Sequence, residues 1–464
     1  MLLALLLTVS LADWVPARWI DRNPQSLDLL QQTPINCLLL ERDQWSVALA
    51  ERAASLGVVT LGVVRTGGDP LQAARDAVRN KLQGVVLEGD FSASVADRIK
   101  DSLAASKVTV VEMLPRRSMR LSNAKEAASE IAATYQGVWP GIQVQDSGAT
   151  RAGPTGSPWI NTNTGFLLFA RAATSAPVWI GNLPPPKTVL PAEAYLHAIC
   201  DAAALGARWV LSLDEDFRTR LLRRDEKALG DWKRIALYLQ YFETHKEWRA
   251  LPEHGRLAVL QDADSGALLS GSILDMIASK RTPVRVVPRA RLSEDALRGS
   301  TMVLNLEADL LTPPQKQTLG RFSSAGNTLL TSPPEFKPPV LHGDQITVDE
   351  KDVGRIDDLY QGINSAIWHA NFGLRLFNVA STLSNVLSEP GGNRLVLQLV
   401  NYSGYPVENI TVRYPGDLRS AKMLTPEGPA REVEVYRTKE DTEIEINKLS
   451  VLATLILEQE AQTK

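Results

Sequence analysis

A closed (β/α) barrel, then a small open α/β domain, then an antiparallel β-sandwich is the fold the sequence predicts, and three observations predict it. Short β-rich runs alternate with helical stretches from Pro34 to Asp214. A second, shorter alternation runs from Arg256 to Pro333, and from Arg394 apolar and polar residues alternate in the manner of strands. A chain of 464 residues exceeds one compact core, and an apolar share of 44% is ample for globular folding.

The elements follow in order. MLLALLLTVSLA (1–12) is a short apolar run ending in Ser10-Leu11-Ala12, whose small first and third residues suit a signal peptidase, so the protein is expected to be secreted or periplasmic. Residues 13–252 form the barrel. Its strands are read from INCLLLE (35–41), VVTLGVVR (58–65), GVVLEGD (84–90), VTVVEM (108–113), VWPGIQV (138–144), PVWIGN (177–182) and ARWVLSLD (207–214). Continuous apolar character marks strands buried on both faces, and WSVALAERAASLG and PLQAARDAVRNKL between them have helical spacing. Seven runs are visible, and an eighth strand has no run of its own.

After the helix DWKRIALYLQYFETHKEWRAL (231–251), residues 253–340 make the flavodoxin-like α/β domain from RLAVLQD, PVRVVP, TMVLNLE and NTLLTSP, closed by the proline-rich linker PPEFKPPV. Residues 341–464 hold a helical connection containing Trp368, His369 and Phe372, then the sandwich strands.

A formal net charge of −3, from 50 basic and 53 acidic residues, carries no footprint for nucleic acid or an anionic membrane and suits a neutral or mildly polar ligand. No glycine fingerprint or phosphate loop is present, so no nucleotide cofactor is expected. Five dispersed histidines argue against a histidine-built metal site, and no metal is expected. No later segment has transmembrane length. Cys37, in an apolar strand, and Cys200, in a helix, are expected to stay unpaired.

In a barrel the carboxyl ends of the strands share one mouth. Those ends carry Glu41, Arg65, Glu88, Asp90, Glu112, Gln143, Gln145, Asn182 and Asp214. Cleavage of a glycosidic bond needs a carboxylic acid and a carboxylate, and Glu112 with Asp214 is the first expected pair. Glu88 and Asp90, on either side of Gly89, compete with them, and capping of the next helix is the competing reading for every one of these acids. Within VLSLDEDF, Glu215 and Asp216 suit the positive end of the next helix, and Asp214 is separated from them as the active-site candidate.

AGPTGSPWINTNTGFLLFARA (152–172) is a stiff loop followed by Trp159, Asn161 and Asn163. An indole beside amides suits a sugar ring, with Trp139 as a second platform and Arg65 and Asn182 as further ligand contacts, whereas packing is the competing role for each tryptophan. The arginines of PRRSMR (Arg116, Arg117, Arg120) read as an anion grip or a solvated loop, and Asp262 and Asp264 as a turn. "NYS" and "NIT" match the glycosylation acceptor pattern at Asn401 and Asn409.

The tail LVLQLVNYSGYPVENITVRYPGDLRSAKMLTPEG, with the Asn401-Tyr402 pair ending a strand, resembles the closing sandwich of many glycosidases. Together with the domain order it resembles barrel glycoside hydrolases, particularly bacterial β-galactosidases with a trimerisation-like α/β domain. The resemblance implies a carbohydrate ligand, with the α/β domain as a candidate surface for a homo-oligomer. It also implies an Asn-Glu pair ending strand four and a Glu ending strand seven, where this chain has Val111-Glu112 and Leu213-Asp214. GVVTLGVVRTGGDPLQAARDAVRNKLQGVVLEGD resembles instead the first lobe of periplasmic sugar-binding proteins. An exported glycoside hydrolase is the leading expectation, with a non-catalytic sugar-binding or assembly protein on the same scaffold as the alternative.

Overall fold

The computed structural model describes residues 10–119, 121, 130–142, 160–261, 282–305, 310–331, 340–342, 345–347, 358, 361–363, 365–367, 371 and 373–459. The chain divides into two compact units, one of residues 1–137, 174–195 and 207–244, the other of 138–173, 196–206 and 245–464.

The first unit is the barrel. Its parallel strands β1 (Pro16–Arg18), β2 (Cys37–Leu40), β3 (Val59–Arg65), β4 (Gly84–Glu88), β5 (Thr109–Leu114), β6 (Ala132–Thr134), β7 (Val178–Ile180) and β8 (Arg208–Trp209) pair in chain order. The ring closes just past β8, where Arg18 N donates to Leu211 O (2.8 Å) and Leu211 N donates to Pro16 O (3.2 Å). The missing eighth strand is therefore the first one, three residues from the stretch WVPAR. A second difference concerns β6: the barrel uses Ala132–Thr134, and of VWPGIQV only Gly141–Ile142 is a described strand, paired antiparallel with Ile160–Asn161.

Alternation along the strands decides what fills the ring. Trp14, Cys37, Leu39, Leu61, Val63, Val86, Val111, Met113, Ile131, Ala133, Trp179 and Val210 form one buried cluster inside it. Trp14 and Trp179 pack with ring centroids 6.3 Å apart. Each Val, Leu, Ile or Met side chain among them stabilises the barrel by roughly 1.5–3 kcal/mol through burial. The intervening residues face the outer helices, among them α1 (Val47–Ser55), α2 (Pro70–Arg79) and α3 (Ala93–Leu103). Gly62 shows how close that layer sits, because a Cβ there would lie 2.9 Å from the Ala77 Cβ on α2.

The second unit contains α4 (Thr164–Ala173) and a four-stranded parallel sheet of β9 (Leu257–Gln261), β10 (Val284–Pro288), β11 (Met302–Asn305) and β12 (Thr328–Thr331), in the order β10-β9-β11-β12. Leu257–Gln261 is buried throughout, as a central parallel strand must be. Among the described residues a two-stranded antiparallel pair, Val340–His342 with Gln345–Thr347, and then two larger antiparallel sheets follow. One has five strands, β14 (Thr382–Ser388), β15 (Arg394–Asn401), β17 (Leu418–Thr425), β18 (Gly428–Val433) and β21 (Leu452–Gln459); the other has four, β13 (Arg375–Phe377), β16 (Val407–Tyr414), β19 (Val435–Arg437) and β20 (Thr442–Leu449). Leu395, Leu397, Leu399, Leu455 and Leu457 meet Ile410, Val412, Ile444 and Ile446 in the core between them.

Cys37 and Cys200 are both buried and form no disulfide, and burial pushes the Cys37 thiol well above its ordinary range. Asn401 is fully buried. Its Nδ2 donates to Tyr405 O (2.9 Å) and Ser450 O (2.7 Å), and its Oδ1 accepts from Ser381 Oγ (2.9 Å) and Ser403 Oγ (2.7 Å). "NYS" is thus a turn-holding device with its amide already occupied, while Asn409 is exposed. Among the described residues no helix is long and apolar enough to cross a membrane.

Candidate functional site

Four charged side chains meet at the carboxyl ends of the first four barrel strands. Trp14 faces inward, so Arg18 two residues past Pro16 does too; the same period of two turns Glu41, Arg65 and Glu88 inward, above Leu39, Val63 and Val86. Arg18 Nη1 donates to Glu41 Oε1 (3.0 Å), and Arg18 Nη2 donates to Glu88 Oε2. Arg65 closes the figure: its Nη2 donates to Glu41 Oε1 (2.9 Å) and its Nε to Glu88 Oε1 (3.0 Å). Each carboxylate therefore holds both guanidinium groups, and the four formal charges cancel.

The members differ in exposure. The Arg18 and Glu88 side chains are 7% and 9% exposed, Glu41 32% and Arg65 47%, so one arginine lies beneath the carboxylates and the other in solvent's reach. Burial works to raise the Glu41 carboxyl, but the hydrogen bond and charge of Arg65, joined by those of Arg18, outweigh it and hold the carboxyl below its usual range. The hydrogen bond to Glu41, against the opposing effect of burial, raises the Arg65 guanidinium still further above its ordinary value. At neutral pH Glu41 is an anion, suited to stabilise or attack a positive centre rather than to donate a proton.

The expected catalytic acids divide. Glu88 is in the mouth. Asp90 is near it but turns away: Gly89, at φ +137°, redirects the chain, and Asp90 accepts from Arg117 Nη2 (3.2 Å) and Ser118 Oγ (3.1 Å). Glu88 and Asp90 thus do not share a partner or a direction. Arg116 and Arg117 lie in the short helix Arg116–Ser118 beyond β5, with Arg117 tied to Asp90.

Glu112 follows the same parity. Val111 and Met113 face the barrel interior, so Glu112 faces outward, where it ion-pairs with Lys100 of α3. Strand β5 continues to Leu114, past the end expected from sequence.

Asp214 has structural partners for both of its carboxylate oxygens. It is the N-cap of α6 (Glu215–Leu222), with Oδ1 accepting from Phe217 N (2.9 Å). Its Oδ2 accepts from Tyr195 Oη (2.6 Å), on α5 (Ala192–Ala204), and from Leu190 N (3.1 Å). Only 3% exposed, it has both oxygens committed to holding structure. Burial first, and then the bond to Asp214, raise the Tyr195 hydroxyl well above its ordinary range. Asp214 is the cap, and Glu215 and Asp216 fill the first turn behind it.

Finding the eighth strand at the front also renumbers the barrel. The strand-four end is Glu88, and the strand-seven end is Gly181-Asn182, with no carboxylate. Asn182 Nδ2 donates to Gly137 O (2.8 Å).

The expected sugar contacts are divided between the two units. Arg65 belongs to the first; Trp139, Asn161 and Asn163 belong to the second unit. Asn163 is fully buried: its Oδ1 accepts from Val138 N (2.8 Å), and its Nδ2 donates to Val138 O (2.9 Å) and Asp201 Oδ2 (2.8 Å). Its amide is consumed by the fold, and Asp201 also accepts from Tyr402 Oη (2.7 Å). Trp139 is half-buried, and Asn161 lies in the two-residue pair with Gly141. Trp159, Gln143, Gln145, Arg120, Asp262, Asp264, Trp368, His369 and Phe372 lie outside the described residues.

Arg18 is the residue that sequence reasoning missed. Its signal was the spacing of Trp14, Pro16 and Arg18, a three-residue strand too short to stand out. Among the described residues no group of three or more His, Cys, Asp or Glu is placed to hold a metal ion.

No protein-family model matches the chain, and no curated protein matches it in sequence. Solved structures do. Alpha-L-fucosidase isoenzyme 2 from Paenibacillus thiaminolyticus aligns over 97% of this chain and 99% of its own, with TM-score 0.60 at 10% identity. A catalytic mutant of Gan42B, a GH42 beta-galactosidase from G. stearothermophilus, aligns over 97% and 99%, with TM-score 0.58 at 9% identity. At such identities the likeness is one of fold, and the fold of this chain is that of these glycoside hydrolases, a parallel eight-stranded barrel followed in the sequence by antiparallel sheets.

Proposed function

We propose that this protein takes a carbohydrate into the carboxyl-terminal mouth of its barrel, and that it holds the sugar without cleaving it. The observation that carries the reading is the group of Arg18, Glu41, Arg65 and Glu88. It offers a dense set of fixed hydrogen-bonding groups where barrel proteins keep their sites, yet both carboxylates are neutralised by the same two arginines. Hydrolysis needs one carboxyl group protonated at working pH, and Glu41 is held in the opposite state. The strand-seven end has no acid to complete a pair across the ring.

Hydrolysis of an oligosaccharide or glycoside by Glu41 and Glu88 is the second reading. It is favoured by one observation: both are bridged by the same guanidinium groups, which keeps the two carboxyl groups within reach of one ligand.

A panel of aryl glycosides and oligosaccharides, assayed for turnover and by calorimetry, separates the readings. Binding without turnover supports the first. Turnover that disappears in both Glu41→Gln and Glu88→Gln establishes the second, and absence of binding across the panel removes both. Export is part of the proposal, supported by the MLLALLLTVSLA run. N-terminal sequencing of the protein from its native host tests it, and an intact Met1 end refutes it. Self-association through the β9–β12 sheet is likewise proposed, and a monomer mass by light scattering refutes it.

A further inference from the structure

We infer that the sugar this mouth selects is a cationic one, carrying a protonated amine that takes the place of the Arg65 guanidinium; the inference rests on the carbohydrate reading above. Arg65 is the most exposed of the four side chains and Arg18 is buried beneath them, so a ligand entering from solvent meets and displaces Arg65. Glu41 and Glu88 then remain over Arg18 with one negative charge in excess. Glu88, 9% exposed, keeps Arg18 but loses the second of its two cationic partners, and one guanidinium then has to serve two carboxylates in a largely buried place, which is unfavourable.

What refills the space must therefore bring positive charge and several hydrogen-bond donors at once. A neutral sugar supplies hydroxyl groups but no charge. An acidic sugar adds a third anion beside Glu41 and Glu88. An ammonium substituent on a sugar ring brings the missing charge and three donors, enough to reach both carboxylates as the guanidinium does. Arg18 acts as the positioning residue: it bridges the same two carboxylates from below and keeps them spaced when Arg65 leaves.

Calorimetric titration of the full chain with three tetramers of equal length, of glucosamine, N-acetylglucosamine and glucose, tests the assignment. The glucosamine tetramer is expected to bind at least about tenfold tighter than the other two, since a single desolvated charge pair carries that much discrimination. Glu41→Gln is expected to erase most of that preference. Arg65→Gln is expected to tighten binding of the glucosamine tetramer by removing its competitor. Equal binding of the three tetramers, or weaker glucosamine binding in Arg65→Gln, overturns the amino-sugar assignment while leaving the carbohydrate reading standing. That reading falls only if the whole oligosaccharide panel fails to bind.

Discussion

Replacing Asp214 with alanine is expected to destabilise the barrel without any direct effect on chemistry. The side chain caps α6 through Phe217 N, and an N-cap aspartate is worth about 1 kcal/mol. It also accepts from the Tyr195 hydroxyl and from Leu190 N, and a buried donor left without a partner costs about 1–3 kcal/mol. Tyr195 Oη keeps one bond, since it also accepts from Asp214 N at 3.0 Å, so the low end of that range applies to it. Taken together the loss is about 3–5 kcal/mol. Asp214→Asn should cost less, because its amide oxygen can still cap Phe217 N while its nitrogen opposes Leu190 N–H. Urea denaturation followed by far-UV circular dichroism measures both variants. An Asp214→Ala protein within about 1 kcal/mol of the parent would refute the capping role, because no combination of these three bonds is that cheap to remove.

Glu253, in the second unit, carries a pH prediction. Burial drives its carboxyl from 4.5 up to about 7, against the pull of the Arg171 and Arg285 charges and the Val286 amide. The fold thus favours the protonated form, so this contribution to stability is complete below pH 4.5 and is lost as pH rises through about 7. The span corresponds to ~3 kcal/mol. Glu253→Gln should flatten the pH dependence of the urea midpoint over that window, and an unchanged slope refutes the assignment. Glu112→Ala removes only a partly exposed pair with Lys100 and should cost less than about 1 kcal/mol, leaving any sugar binding intact; loss of binding would return Glu112 to the site. Asn401→Ala strips five hydrogen bonds from a buried turn and should cost about 3 kcal/mol or more, read as a lowered melting temperature of the β-sandwich.

Long buried runs made the parallel strands legible, because Leu38–Leu40 and Val85–Leu87 are covered on both faces and read as apolar blocks. The antiparallel sheets were legible from alternation, as in Leu395, Leu397 and Leu399 against the core. Strand β1 was not, since three residues including Pro16 and Arg18 produce no run. Strand β6 was obscured because Ala132–Thr134 has little β character beside VWPGIQV. Errors of register then became errors of chemistry. Parity separates Glu112 from the mouth, because it alternates with the interior Val111 and Met113. Asp214 shows a different limit: an aspartate ending a strand before a helix has the same local sequence whether it caps or catalyses. Only the positions of Tyr195 and Leu190, distant in the chain, decide between the two. Glu41, Arg65 and Glu88 were visible at strand ends, whereas their joint neutralisation required Arg18.

The seam between β1 and β8 ties residue 18 to residue 211. A polypeptide emerging from the ribosome therefore holds its first strand unmatched on one side until nearly two hundred further residues have been made, and the ring stays open throughout that interval. Late zippering of this kind delays the sealing of the barrel core until the last strand has been made. It also makes the amino-terminal edge the point at which a truncated or stalled product would stick to its neighbours.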